Sequence, residues 1–207
     1  MYACCNQEVF DLIEQSISAE NKYEMKRFLY VGGEPGSSIS AVLHEAAIAA
    51  AMKSMKVLYI CDTGQLLHAF KAQLPDCDGI ENIQIFTIHG VLKYKHPGPD
   101  GKVCWAAPLA LRKVDLILID EGSQYNDREF ARLYECIKEQ PHSQYAVLMA
   151  DFKQIQPVGS RRECYNFCMK NDKVERKELD TVYRRKDKAR TLPTASATAT
   201  EYDPDFD

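Results

Sequence analysis

Short apolar runs alternate with longer stretches of helical periodicity along this chain. Strand-length runs stand at Arg27–Val31, Lys56–Cys61, Ile83–Thr87, Val114–Asp120 and Gln144–Ala150, with a weaker sixth at Val174–Leu179. Several are continuously apolar, as suits strands covered on both faces. Between them lie helical patterns at Ser40–Lys53, Gln65–Leu74, Asp127–Glu139 and Arg161–Lys170. The segment Asn6–Ser18 sets Val9, Leu12, Ile13 and Ile17 on one helical face. This rhythm predicts an α/β domain built on a parallel sheet with crossover helices, extending over residues 1–190. The Pro/Gly-dense stretch His96–Lys102 reads as an exposed loop. The Thr/Ala-rich, acidic residues 191–207 read as a disordered tail.

Composition narrows the class. Of 207 residues, 45% are hydrophobic and 27% charged, a globular balance. No apolar run approaches the roughly 20 residues of a membrane span. The opening MYACCNQEVF lacks a basic-then-apolar leader, so the expected location is intracellular, cytoplasmic or nuclear. The eight cysteines then read as reduced thiols. There is no CxxC, and neither Cys4–Cys5 nor Cys164/Cys168 has a histidine at zinc spacing, so no zinc is expected. The net charge of −4 is unevenly spread: Arg161–Arg190 holds 11 basic and 6 acidic residues. That segment suits either a nucleic-acid surface or a solvated charged face.

Three segments carry chemistry. VGGEPGSSIS at Val31–Ser40 follows an apolar run and precedes the alanine-rich helix, the setting of a phosphate-binding loop. Against G-x-x-x-x-G-K-[ST], Gly33 and Ser40 fit, while Ser38 and Ile39 replace the second glycine and the lysine. About eighty residues later, VDLILIDEGSQ ends an apolar run in Asp120–Glu121. A carboxylate at such a tip can anchor a nucleotide's magnesium, and its neighbour can deprotonate an attacking water. The same pair also reads as the start of a helix, with Asp127 as its N-cap. In YAVLMADFKQIQPVG, Gln154 follows another apolar run and can sense a terminal phosphate without carrying charge.

In this order the segments resemble the N-terminal RecA-like domain of a superfamily 1 helicase, closest to the Pif and RecD type. VGGEPGSSIS resembles motif I, VLYICDTGQLLHAF motif Ia, LILIDEGSQ motif II and MADFKQIQPVG motif III. IFTIHGVL resembles the Thr-Ile-His segment that touches single strands, and LDTVYRR the motif ending in Tyr-Arg. The resemblance covers roughly residues 3 to 187 and implies a three-layer α/β/α P-loop fold that binds ATP and Mg²⁺. It implies that Gln7 contacts adenine, that Gly33, Gly36, Ser37 and Ser40 surround the phosphates, and that Ser40 and Asp120 hold magnesium. Glu121 would be the general base, Gln154 the γ-phosphate sensor and Arg184 a positive charge beside it. Thr63, Thr87 and His89 would lie on a track for single-stranded nucleic acid, DNA before RNA. His89 also reads as a cap on a strand end, and Arg184 as a surface charge.

The departures bear on activity. Ile39 cannot neutralise phosphates, Ser38 adds a side chain where backbone must approach them, and Glu34 adds negative charge. Motif III opens on Ala150 in place of glycine. The pattern implies impaired or absent hydrolysis. The segment after Arg190 shows no second RecA-like domain, so the expectation is a fragment of a larger helicase polypeptide or a one-domain remnant, unable to unwind a duplex alone. A non-catalytic scaffold for nucleic acid or protein, derived from a helicase, is the alternative.

Overall fold

The structure is a computed structural model, and it describes residues 11, 13, 28–33, 39–92, 111, 114–140 and 144–179. Six strands appear: β1 Phe28–Gly33, β2 Val57–Cys61, β3 Ile83–Thr87, β4 Leu116–Ile119, β5 Tyr145–Ala150 and β6 Val174–Leu179. They form one sheet in the order β3-β2-β4-β5-β1-β6, and every pairing is parallel. The described helices are α1 Ile39–Met52, α2 Gly64–Lys71, α3 Ile88–Leu92, α4 Asp127–Lys138 and α5 Glu163–Lys170.

The two-residue period of the strands sorts the core into two layers. Leu29, Val31, Val57, Tyr59, Leu116 and Leu118 face α1 and α2. Tyr30, Leu58, Ile60, Ile117 and Ile119 face α3, α4 and α5. The steps β1 to β2 and β2 to β3 run toward one edge and carry α1 and α2. The steps β4 to β5 and β5 to β6 run back and carry α4 and α5 on the other face. Right-handed crossovers require this change of face when the direction of travel reverses. The result is an α/β domain on a parallel sheet, as the alternating runs predict, with the three layers of the RecA-like P-loop kind that the resemblance implies. Because all strands point one way, Gly33, Cys61, Thr87, Ile119, Ala150 and Leu179 end at one edge, where ligands of open α/β sheets bind.

Two readings need correction. Asn126, not Asp127, caps α4: its side chain accepts the Glu129 N–H at 3.0 Å, and the Glu129 carboxylate accepts the Asn126 N–H at 3.1 Å. Asp127 instead receives the Ser160 hydroxyl at 3.0 Å, the Glu163 N–H at 3.1 Å and the Arg161 N–H, tying α4 to the loop before α5. The Thr-Ile-His segment does not simply end a strand, since Ile88–Leu92 turns helical at once. Of Asn6–Ser18, Asp11 and Ile13 are described; both are helical, and Ile13 is buried in the α1 layer. Gln7, Gly36, Ser37, Ser38 and Arg184 lie outside the described residues, as do 93–110 and the tail 191–207.

Candidate nucleotide site

β4 is buried along its whole length, and its end delivers Asp120 and Glu121 to the carboxyl edge between the tips of β2 and β5. Ser40, in the first turn of α1, meets Asp120 from that helix. Its Oγ donates to Asp120 Oδ1 at 3.2 Å. The Glu121 N–H donates to the same oxygen at 3.0 Å, and the Tyr59 hydroxyl donates to Oδ2 at 2.7 Å. The backbone of Asp120 is held too. Its N–H reaches Ile60 O at 2.8 Å, and its carbonyl accepts the Tyr125 hydroxyl at 3.1 Å. Asp120 is 2% exposed, so a charge buried this deeply needs such donors.

The turn after Asp120 is tight. Glu121 adopts φ 52° and ψ 38°, a left-handed conformation uncommon for a residue with a side chain. Gly122 follows beneath Leu148, where a Cβ would stand 3.1 Å from Leu148 Cγ. Burial, then the charges of Asp120, Asp151 and Asp62, push the Glu121 carboxyl above the ordinary glutamate value. Asp62, at the tip of β2, is also raised, first by burial and then by Glu129, while His89 pulls it down. This edge therefore gathers acidic groups whose mutual repulsion a bound cation would relieve.

The donor set fits magnesium. Among the described residues no group of three or more His, Cys, Asp or Glu is placed to hold a metal. A hard cation that keeps water and phosphate oxygens needs only one or two protein ligands, which Ser40 and Asp120 could supply. Gly33 stands at the end of β1, where the phosphate loop begins. Ile39 opens α1 at the position of the loop lysine.

Gln154 lies in the irregular stretch after β5. Its Oε1 accepts the Gln124 Nε2 at 3.5 Å, and Gln124 Nε2 also reaches Ile155 O at 3.4 Å. The Asp-Glu tip and the loop after β5 are thus linked by a pair of amides. Thr63 and Thr87 stand apart from this group, at the tips of the adjacent strands β2 and β3. The Thr63 hydroxyl accepts the Leu66 N–H at 3.3 Å as the cap of α2, and that of Thr87 accepts the Gly90 N–H at 3.1 Å. His89 Nε2 sits 2.8 Å from Glu129 Oε1 on α4. The expected site residues thus fall into one group around Asp120 and another at the tips of β2 and β3.

Sequence reasoning missed four contributors: Tyr59, Tyr125, Gln124 and His44. A tyrosine inside a buried apolar run such as VLYIC must find a partner for its hydroxyl, and that signal was present. His44, on α1, stacks on Phe70 with centroids 3.9 Å apart and lies 5.4 Å from the Tyr59 ring. Burial lowers its pKa, opposed by Asp120 and a Gln73 hydrogen bond, so its ring favours the neutral form.

No helix among the described residues is long and apolar enough to cross a membrane. No curated protein matches the chain. The family model for the AAA domain matches residues 14–201. With that match spanning both layers of the parallel sheet and the Ser40–Asp120 pair at its carboxyl edge, the chain belongs to the AAA domain family, as a helicase-like P-loop nucleotide-binding domain.

Proposed function

We propose that this domain is the first RecA-like half of a superfamily 1 helicase of the Pif or RecD type. In this reading it binds ATP with Mg²⁺ and single-stranded nucleic acid, DNA before RNA, and hydrolyses ATP poorly or not at all. The observation that carries the reading is the Ser40–Asp120 hydrogen bond, which joins the end of the phosphate loop to the acidic strand tip across 80 residues of sequence. Ser40 and Asp120 are the side chains that would hold magnesium, which would supply charge neutralisation at the phosphates. Glu121, its carboxyl raised by burial and by Asp120, accepts a proton from water more readily than an exposed glutamate. Gln154, which accepts a hydrogen bond from Gln124, is the γ-phosphate sensor of this reading. In this reading Gln7 would contact adenine, Gly33, Gly36 and Ser37 would surround the phosphates, and Arg184 would supply a positive charge near the γ-phosphate. Thr63, Thr87 and His89 touch the strand.

What weakens turnover is Ile39. A lysine there neutralises the β- and γ-phosphates; losing one preorganised contact of this kind costs about 3–4 kcal/mol, or 10²–10³ in rate. One observation favours the alternative of a helicase-derived scaffold that does no chemistry. Both Asp120 oxygens already have protein donors, so the strand tip is stable in itself. A titration with a fluorescent ATP analogue, with and without Mg²⁺, separates the two. Magnesium-dependent binding supports the nucleotide site, and tenfold tighter binding by the double variant Ser38→Gly, Ile39→Lys supports the loop assignment. No binding by either protein leaves the scaffold.

A further inference from the structure

Strand β3 carries one large aromatic side chain that neither layer of the core takes up. Phe86 stands in register with Ile60 of β2, and Ile60 is buried in the layer beneath α3, so Phe86 points to that face of the sheet. It lies on the border strand and stays 36% exposed, while Ile85 and Ile88 on either side of it in sequence are buried.

The ring has a glycine for a neighbour. Helix α3 passes it at Gly90, where a Cβ would stand 3.6 Å from Phe86 Cδ1 and 3.3 Å from the Thr87 hydroxyl. Any side chain at that position would begin in contact with the ring, and glycine leaves that side of it bare. Glycine is otherwise a poor choice inside a helix.

The surroundings are polar. Gln84, two positions earlier, shares the face and is exposed. The Thr87 hydroxyl meets the Gly90 N–H, and the exposed His89 is held by Glu129. The other exposed large apolar side chains among the described residues are Met52, Leu66, Ile155 and Val158. Met52 and Leu66 belong to α1 and α2, which cover the opposite face, and the loop of Ile155 and Val158 follows β5, two strands removed from β3. Phe86 is therefore a single ring amid hydrogen-bonding groups. A protein partner would call for a contiguous apolar patch. A flat ligand with a polar rim suits one ring, and a nucleobase is such a ligand.

We propose that Phe86 is a stacking platform for one base of a bound single strand whose backbone passes Thr87 and His89. This rests on the strand reading given above and adds to it a contact with the bases, for which Thr63 and Thr87 offer only hydroxyls. Every base has a flat face, so the platform grips a strand without choosing its sequence.

The test is fluorescence anisotropy of the full chain at low salt with two labelled strands of equal length, oligodeoxythymidylate and the same sugar–phosphate chain without bases. The parent should bind the strand with bases about fivefold or more tightly than the baseless one. Phe86→Leu keeps an apolar side chain but removes the ring. It should weaken the strand with bases by about the same factor and leave the baseless strand unchanged, and Phe86→Trp should bind at least as well as the parent. Equal affinity of the parent for the two strands overturns the proposal with no variant needed. So does a Phe86→Leu protein that binds like the parent, or one that loses both strands alike. A parent that binds neither strand removes the strand reading itself, whereas equal binding of both removes only the platform.

Discussion

Replacing Tyr59 by phenylalanine deletes one oxygen from the middle of the domain. The ring keeps its packing against Phe70, 4.4 Å between centroids, and against His44, so the apolar contribution nearly cancels. What disappears is a 2.7 Å hydrogen bond to a carboxylate, between groups that are 1% and 2% exposed. Water cannot replace the donor, and Asp120 Oδ2 is left without a partner. A hydrogen bond to a charged group contributes about 1.5–3 kcal/mol, so Tyr59→Phe should cost about 2 kcal/mol. For a domain of this size each kcal/mol lowers Tm by about 2–4 °C, which gives a drop of about 4–8 °C. Thermal and urea melts followed by circular dichroism measure it. A cycle with Asp120→Asn adds a check, since the two substitutions share one contact and should couple by about 1 kcal/mol or more. A Tyr59→Phe protein melting within about 1 °C of the parent, with no coupling, would refute the claim that Asp120 depends on this hydroxyl.

Other perturbations follow from the same structure. Burial alone would raise the Asp127 carboxyl, but the Arg161 and Glu163 N–H groups and the Ser160 hydroxyl hold it below the ordinary value. Its contribution is therefore complete above the unfolded pKa and is lost as pH falls through the lower folded value; the stability gap between parent and Asp127→Ala should be constant near neutrality and close below about pH 4. Gly79 has φ +92°, and a Cβ there would stand 2.7 Å from Ala51 O, a backbone atom that cannot swing away. Gly79→Ala should then cost more than about 1 kcal/mol in a urea melt, and an unchanged midpoint would contradict the crowding. His89→Ala should weaken single-strand binding, which itself should fall steeply between low and moderate salt; fluorescence anisotropy with a labelled oligonucleotide measures both, and salt-independent binding would point to another surface.

Most of the sheet was legible because buried parallel strands leave continuous apolar runs. VLYIC, LILI and YAVLMA have no solvent-facing alternation to blur them. Even β6 was legible from its end points, although its exposed positions are charged. Helix α3 was not. Five residues starting on a β-branched Ile88 and containing Gly90 carry little helical signal, and what turns the chain is the Thr87 hydroxyl on the Gly90 N–H. That Ser40, at the start of α1, would meet the strand tip of Asp120 and Glu121 was legible by spacing, since a turn-rich loop after one apolar run and an acidic end on another fall on one edge of a parallel sheet. The part of Tyr59 was not, because its partner lies 61 positions away and only the register of β2 with β4 brings them together. Asp127 was displaced from its expected part by one residue, because Asn126 competes for the same cap and wins.

The sheet's two borders are unlike, and this governs how the protein behaves in a crowded solution. β6 closes one side with VERKEL, whose Val174 and Leu179 are buried while Glu175 and Lys177 sit half-shielded between more exposed neighbours. A foreign strand laid there would bring its own side chains against four consecutive charges. β3 closes the other side with IQIFT, which carries none, and its Phe86 is 36% exposed. Unpaired strand edges recruit other chains unless charge or bulk deters them. Among the described residues, the border from which accidental polymerisation would grow is therefore β3. A single lysine at Gln84, which is exposed on that border, is the economical place to stop it.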